Sequence, residues 1–93
     1  MFNLFRPKYE VILAQPISDI KTMYKRITMP FPPFHDLIIH VNNRGNEWFF
    51  FCKQIDWFEN QNRFSVHGRP LEAENPEHVL EVLRKAGWYD TLG

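Results

Sequence analysis

Histidine and arginine are the side chains in this chain that could act on a phosphate, with imidazoles as acid and base and a guanidinium holding the charge that develops. Between positions 40 and 69 the sequence places His40, Arg63, His67 and Arg69 among many rings. Alternation along two predicted strands puts these four on one face, so a small phosphodiesterase or nuclease is the first chemistry to weigh. Register separates the histidines. With His40 opposite Trp48 and His67 opposite Gln54, six positions divide them along the strand between, or roughly 20 Å. No single phosphate touches both, so no catalytic set is assigned and the enzyme reading stands third.

Metal and cofactor chemistry finds less support. His35 and His40 alternate onto opposite faces of one strand, His78 falls in the first turn of a helix, and no pair has a short ligand spacing. Asp36 and His40 share a face as a single pair. Gly45, Gly68, Gly87 and Gly93 are isolated and build no phosphate loop. The expectation is no metal and no cofactor. One cysteine, Cys52, allows no internal disulfide and points to an intracellular, cytoplasmic setting.

A second class of chemistry is recognition. The stretch "WFFFCKQIDWF", residues 48–58, carries rings on both faces of a strand, whereas a two-layer domain needs apolar residues on one. Ninety-three residues with 44% hydrophobic content suffice for one domain, 1–93, with one core. The longest apolar run there has five residues, far short of the ~20 needed to span a bilayer, and the N-terminus lacks a signal-peptide core, so a soluble chain without membrane contact is expected. Net charge is zero, although residues 1–34 are net +3 and residues 71–93 net −3. Neutrality weakens non-specific nucleic-acid binding, which depends on neutralised phosphates.

The elements that position these residues follow from periodicity. "KYEVILAQ" alternates as a first strand that Pro16 stops. Ile17, Ile20, Tyr24 and Ile27 recur at helical spacing behind Ser18 as cap, which predicts a short helix carrying Lys21, Lys25 and Arg26 as a basic face. "MPFPPF" is a stiff connector. Three strands follow as a meander, about 36–42, 47–58 and 63–69. Asn75, Pro76, Glu77, Glu81 and Gly87 bound a final helix whose buried stripe is Val79, Leu80, Leu83 and Ala86. The fold class is therefore α+β: a single domain in β-α-β-β-β-α order, a curved antiparallel sheet with two helices mainly on one face. Trp88 is expected to pack back on the sheet edge or last helix, with Tyr89 wet.

Turn chemistry sets the faces. A three-residue loop ending at Gly45 pairs His40 with Trp48, and a two-residue Asn60-Gln61 turn pairs Trp57 with Phe64 and Ile55 with Val66. The inner face then holds Phe49, Phe51, Ile55 and Trp57. The outer face holds Ile38, His40, Trp48, Phe50, Cys52, Phe58, Arg63, Ser65, His67 and Arg69. A two-residue Arg44-Gly45 turn instead sets Val41 opposite Trp48, and a bulge near Lys53 reverses parity halfway along the strand. The segment "MFNLF", 1–5, is a candidate cover for Trp48 and Phe50.

Residues 37–47, "LIIHVNNRGNE", resemble the first hairpin of small acidic anti-CRISPR inhibitors of Cas9. The resemblance spans eleven of 93 residues and implies a strand, turn and strand; no functional residue is carried over, since those inhibitors are acidic DNA mimics and this chain is neutral. The sequence thus points to a non-enzymatic protein-binding module, a regulator or inhibitor of a larger protein or a homodimer. Its binding residues are Trp48, Phe50, Phe58, Arg63, His67, Arg69 and His40, with Lys21, Lys25 and Arg26 as a secondary basic face. The second reading is a single-stranded nucleic-acid binder using the same face and that basic helix.

Overall fold

The computed structural model describes residues 8–43 and 45–91. Five strands come first: β1 (Tyr9–Ile17), β2 (Lys21–Met29), β3 (Ile38–Asn43), β4 (Asn46–Phe58) and β5 (Arg63–Gly68), with a short 3-10 turn (Glu59–Gln61) before the last. One helix, α1 (Pro76–Lys85), ends the order. The expected β-α-β-β-β-α order on an antiparallel sheet is corrected: a single helix lies on a curled, mixed five-stranded sheet.

The predicted first helix is β2. Its residues fit both periods, but Thr22, Tyr24, Ile27 and Thr28 are β-branched or aromatic and suit a pleated surface better than a helix. The preceding turn decides the matter. Ser18 adopts φ 48°, and its hydroxyl accepts the Ala73 N–H at 3.3 Å rather than capping a helix. The chain reverses there, and β2 pairs antiparallel with β1 from Ile17 opposite Lys21 to Tyr9 opposite Met29.

The sheet order is β2-β1-β5-β4-β3, with β1 and β5 parallel and every other pair antiparallel. Its two edges, β2 and β3, are consecutive in sequence, so residues 30–37 must cross the whole sheet. Four strand spacings are about 19 Å, and nine extended Cα steps reach about 30 Å. Pro30, Pro32 and Pro33 keep the first part of the crossing out of helix and ladder, in agreement with the stiff connector read from the sequence, and a turn at His35 and Asp36, the latter at φ 70°, leads into β3.

Among the described residues Gln15 is the buried polar side chain of the inner face, the face α1 covers. Pro16 next to it has no N–H, and the β1–β5 ladder is interrupted between His67 and the isolated bridge of Ile17 with Leu71. The Gln15 amide fills that interruption by donating to the Arg69 carbonyl at 2.9 Å and the Pro16 carbonyl at 3.0 Å, while its oxygen accepts the Trp48 indole N–H at 3.2 Å. All of its polar atoms are thereby paired, which is what burial demands.

Helix α1 follows its sequence signals. Asn75 accepts the His78 N–H at 3.3 Å, Pro76 occupies the first turn, and Leu80, Leu83 and Ala86 are buried. Gly87 at φ 93° ends it: its N–H donates to the Arg84 carbonyl and the Trp88 N–H to the Leu83 carbonyl, the double closure of a Schellman motif. Trp88 folds back at 3% exposure against Trp48 and Phe50, while Tyr89 stays exposed, as the sequence suggested. Tyr89 exchanges two backbone hydrogen bonds of 2.8 Å with Tyr24, covering part of the free edge of β2.

Asp90 locks this tail by accepting two hydrogen bonds from Arg84, at 2.9 and 3.0 Å, with Lys21 at 3.4 Å. The Arg84 guanidinium chiefly, then Lys21, holds the Asp90 carboxyl below its usual value. A lowered folded value means that the stabilisation is complete above the ordinary aspartate value of ~3.9 and disappears as pH falls through the folded one. The difference in melting temperature between wild type and Asp90→Asn is therefore expected near neutrality and should vanish in acid; a difference that persists there would assign it to another cause. Gly68 supplies a second test, because a Cβ at that position would lie 2.6 Å from Phe50. Gly68→Ala should lower stability by about 1–3 kcal/mol, read by calorimetry, and Phe50→Leu in the same chain should recover part of it.

Candidate binding surface on the outer sheet face

The faces of β4 are set by two local events. At its start, Asn43 pairs with Asn46, so the hairpin turn has two positions and Gly45 takes φ 85° in the second. That left-handed conformation suits a glycine. Val41 therefore stands opposite Trp48 and His40 opposite Phe49, one step from the three-residue register. Midway, the register shifts between Cys52 and Gln54, leaving Lys53 as the extra residue of a bulge. Beyond it, Trp57 pairs with Phe64 and Ile55 with Val66, as expected from the sequence.

The outer face is corrected accordingly. Trp48 and Phe50 were expected outside but turn inward, Phe50 with no exposed surface and Trp48 half-buried beside Trp88. Cys52 turns inward with them. Phe49 and Phe51 take their places outside. The only signal for this in the sequence was the two-residue turn. Phe58, Arg63, His67, Arg69 and His40 lie outside as expected, because they sit beyond the bulge or on strands whose parity the turn leaves unchanged. The segment "MFNLF" lies outside the described residues.

Exposed apolar surface on this face is concentrated in its β3–β4 half. There Phe49 is 52% and Ile38 45% exposed, whereas Ile12 and Ala14, on the outer side of β1, are buried. The His40 ring lies 4.7 Å from the Phe49 ring, with its Nδ1 at 3.1 Å from the Glu47 carboxylate. Arg69 lays its guanidinium 4.1 Å above the Phe51 ring, and its backbone N–H donates to the Phe51 carbonyl at 3.0 Å. Phe58 stands apart at the far end, opposite Arg63.

Most basic side chains that the strands bring to this face already have carboxylate neighbours. Arg26 and Arg63 share Glu10 at 3.3 and 3.9 Å, His67 faces Asp56 at 3.8 Å, and the bulge residue Lys53 reaches Asp36 at 3.6 Å. Arg69, just past β5, has a ring beneath it and no carboxylate partner among the described residues. The predicted basic face of Lys21, Lys25 and Arg26 is not formed, since a strand sends alternate residues to opposite sides. Lys21 pairs with Asp90, Lys25 donates to the Ala86 carbonyl at 3.5 Å, and only Arg26 lies outside.

Register also sets the histidines apart. His40 opposite Phe49 and His67 opposite Gln54 are five positions apart along β4, roughly 16 Å. Among the described residues no three His, Cys, Asp or Glu side chains converge on a metal position. A cleft of about 420 Å³ at the β2 edge is lined by Ile12, Tyr24, Arg26 and Tyr89, but its Lys25 and Arg26 are already partnered. No described helix is long and apolar enough to cross a membrane. Neither a family model, a curated protein nor a solved structure matches this chain.

Cys52 tests the face assignment directly. Had it lain outside it would be accessible; instead it has no exposed surface, and burial pushes its thiol up to about 11. Because the thiolate is the reactive form, the native protein should resist aromatic disulfide reagents at pH 8 and react at once in denaturant. Rapid native labelling would place Cys52 on the open side.

Proposed function

We propose that this chain is a non-enzymatic protein-binding module that docks a partner on the β3–β4 half of its outer face. The observation that supports this reading is the group of Phe49 and Ile38, half-exposed, beside Phe51 with Arg69 stacked on it and no carboxylate beside the guanidinium among the described residues. Rings and arginine dominate interface energies, and monomers seldom leave such groups together in the open. The complementary partner presents an apolar side chain to Phe49 and a carboxylate to Arg69. A larger protein that the chain regulates or inhibits fits this chemistry, and so does a second copy.

One feature favours a second reading, single-stranded nucleic acid. Phe49 and Phe51 are two outward rings on one strand, spaced for base stacking, with a guanidinium at one end. The pairing of Arg26, Arg63 and Lys53 with carboxylates weighs against it, since phosphate binding needs free cations.

Two measurements separate the readings. Immobilised wild-type protein should retain a partner from lysate that Phe49→Ala and Arg69→Ala each retain ten- to a hundredfold less well, the loss of about 1–3 kcal/mol typical of an interface anchor. Both variants should keep the wild-type melting temperature. Equal retention by all three proteins would remove this face from the interface. Labelled oligonucleotides titrated at low and high salt should show no binding; salt-sensitive binding lost in Arg69→Ala would establish the nucleic-acid reading instead.

A further inference from the structure

We propose that β3 pairs with the β3 strand of a second copy, antiparallel about a two-fold axis through His40, to give one continuous sheet of double width. The proposal rests on the reading of this region as a protein-binding surface and names its occupant.

Leu37 accepts a hydrogen bond from Cys52, so the alternation of an antiparallel ladder aims Leu37, Ile39 and Val41 at β4. The N–H and C=O groups of Ile38, His40 and Asn42 then point away from the sheet, and none of them has a backbone partner among the described residues. Edge strands are usually guarded by lysine, proline, a bulge or a covering segment. Residues Ile38–Asn43, "IIHVNN", contain no lysine, proline or bulge, and no segment among the described residues pairs with their outer side. The other edge is guarded: β2 has Lys21, Lys25 and Arg26, and Tyr24 is bonded to Tyr89. Head-to-tail growth of β3 onto the β2 edge of another copy is thus obstructed, whereas the self-complementary pairing of β3 with β3 is open and closes after two copies.

The surroundings of the edge match such a partner. Apolar surface flanks it on both sides, with Ile38 and Phe49 on the outer face and exposed Val82 beside Val41 and Trp48 under the helix. Charge is self-complementary as well. The edge strand bears one titratable side chain, His40, and the Glu47 carboxylate lies 3.1 Å from it. The two-fold sets His40 against its symmetry mate and Ile38 against Asn42, so each imidazole arrives with its own carboxylate and no unpaired like charges meet.

Sedimentation of the full chain from about 1 to about 100 µM should show a species of twice the 11.2 kDa chain mass. His40→Pro removes an outward donor and no β3–β4 rung, so it should raise the dimer dissociation constant at least tenfold with an unchanged far-ultraviolet spectrum. Ile38→Lys, a charge on the edge, should do the same without altering the backbone. A wild type that stays monomeric at the highest concentration overturns the proposal, as does a dimer that survives both variants. Phe49→Ala keeps the two readings distinct: a dimer lost in this variant yet intact in His40→Pro pairs through the outer face, which overturns the edge and leaves the binding-face reading standing.

Discussion

The single extra residue at Lys53 is the constraint on which this structure depends. A strand of thirteen residues with rings along its whole length cannot turn all of them toward one helix. By adding one residue at the point where β5 ends beside it, β4 changes which parity faces inward. Before the bulge the even positions Trp48, Phe50 and Cys52 turn to the core, and after it the odd position Ile55 does, while Trp57 lies on the same side at its margin, nearly half exposed against Phe64. One strand thus serves two partners, the β3 hairpin on one side and β5 on the other, each in its own register. The rings displaced outward, Phe49 and Phe51, make the outer face unusual.

Closure of the inner face depends on the chain after α1 as much as on α1 itself. The Schellman turn at Gly87 redirects the backbone so that Trp88 falls on Trp48 and Phe50, at ring distances of 6.4 and 6.3 Å. Its indole N–H is buried without an acceptor. Such a group costs about 1–3 kcal/mol, comparable to what a large buried ring contributes through packing. Trp48, against which it packs, gives its own N–H to Gln15, and Gln15 fills the gap left by Pro16. One polar side chain therefore ties β1, β4 and the turn after β5 together beneath the helix.

What the sequence disclosed follows how local its signals are. Helix α1 was legible residue by residue, because cap, proline, acidic first turn and glycine stop all lie within thirteen positions and agree. The register of the second hairpin and the inward Trp88 were legible for the same reason, although a 3-10 turn, Glu59–Gln61, and a left-handed Asn62 join its strands in place of a two-residue turn. The segment 21–29 was not: its apolar residues fit both a 3.6 and a 2.0 period, and the choice was made by pairing with β1 and by the left-handed Ser18, neither visible in a helical wheel. The parallel contact of β1 with β5 left no local trace. Parity at Trp48 turned on one residue of loop length, the smallest change that exchanges two faces. As a result the sequence pattern gives the outward side of His40, Phe58, Arg63, His67 and Arg69 but not that of Phe49 and Phe51.

The parallel pairing of β1 with β5 also dictates an order of assembly. The β1–β2 hairpin needs a three-residue turn and can close early. Its inner flank waits for residues more than fifty positions away, since Glu10 meets Arg63 and Ala14 meets His67. Bringing such distant segments together carries a loop-closure cost that local contacts do not. Until β5 arrives, the most apolar strand of the protein, "YEVILAQPI", presents an unpaired side to whatever is near it. The nascent chain is then most exposed to misassociation in the interval between making the first hairpin and making the last strand, and that interval includes all of the aromatic β4.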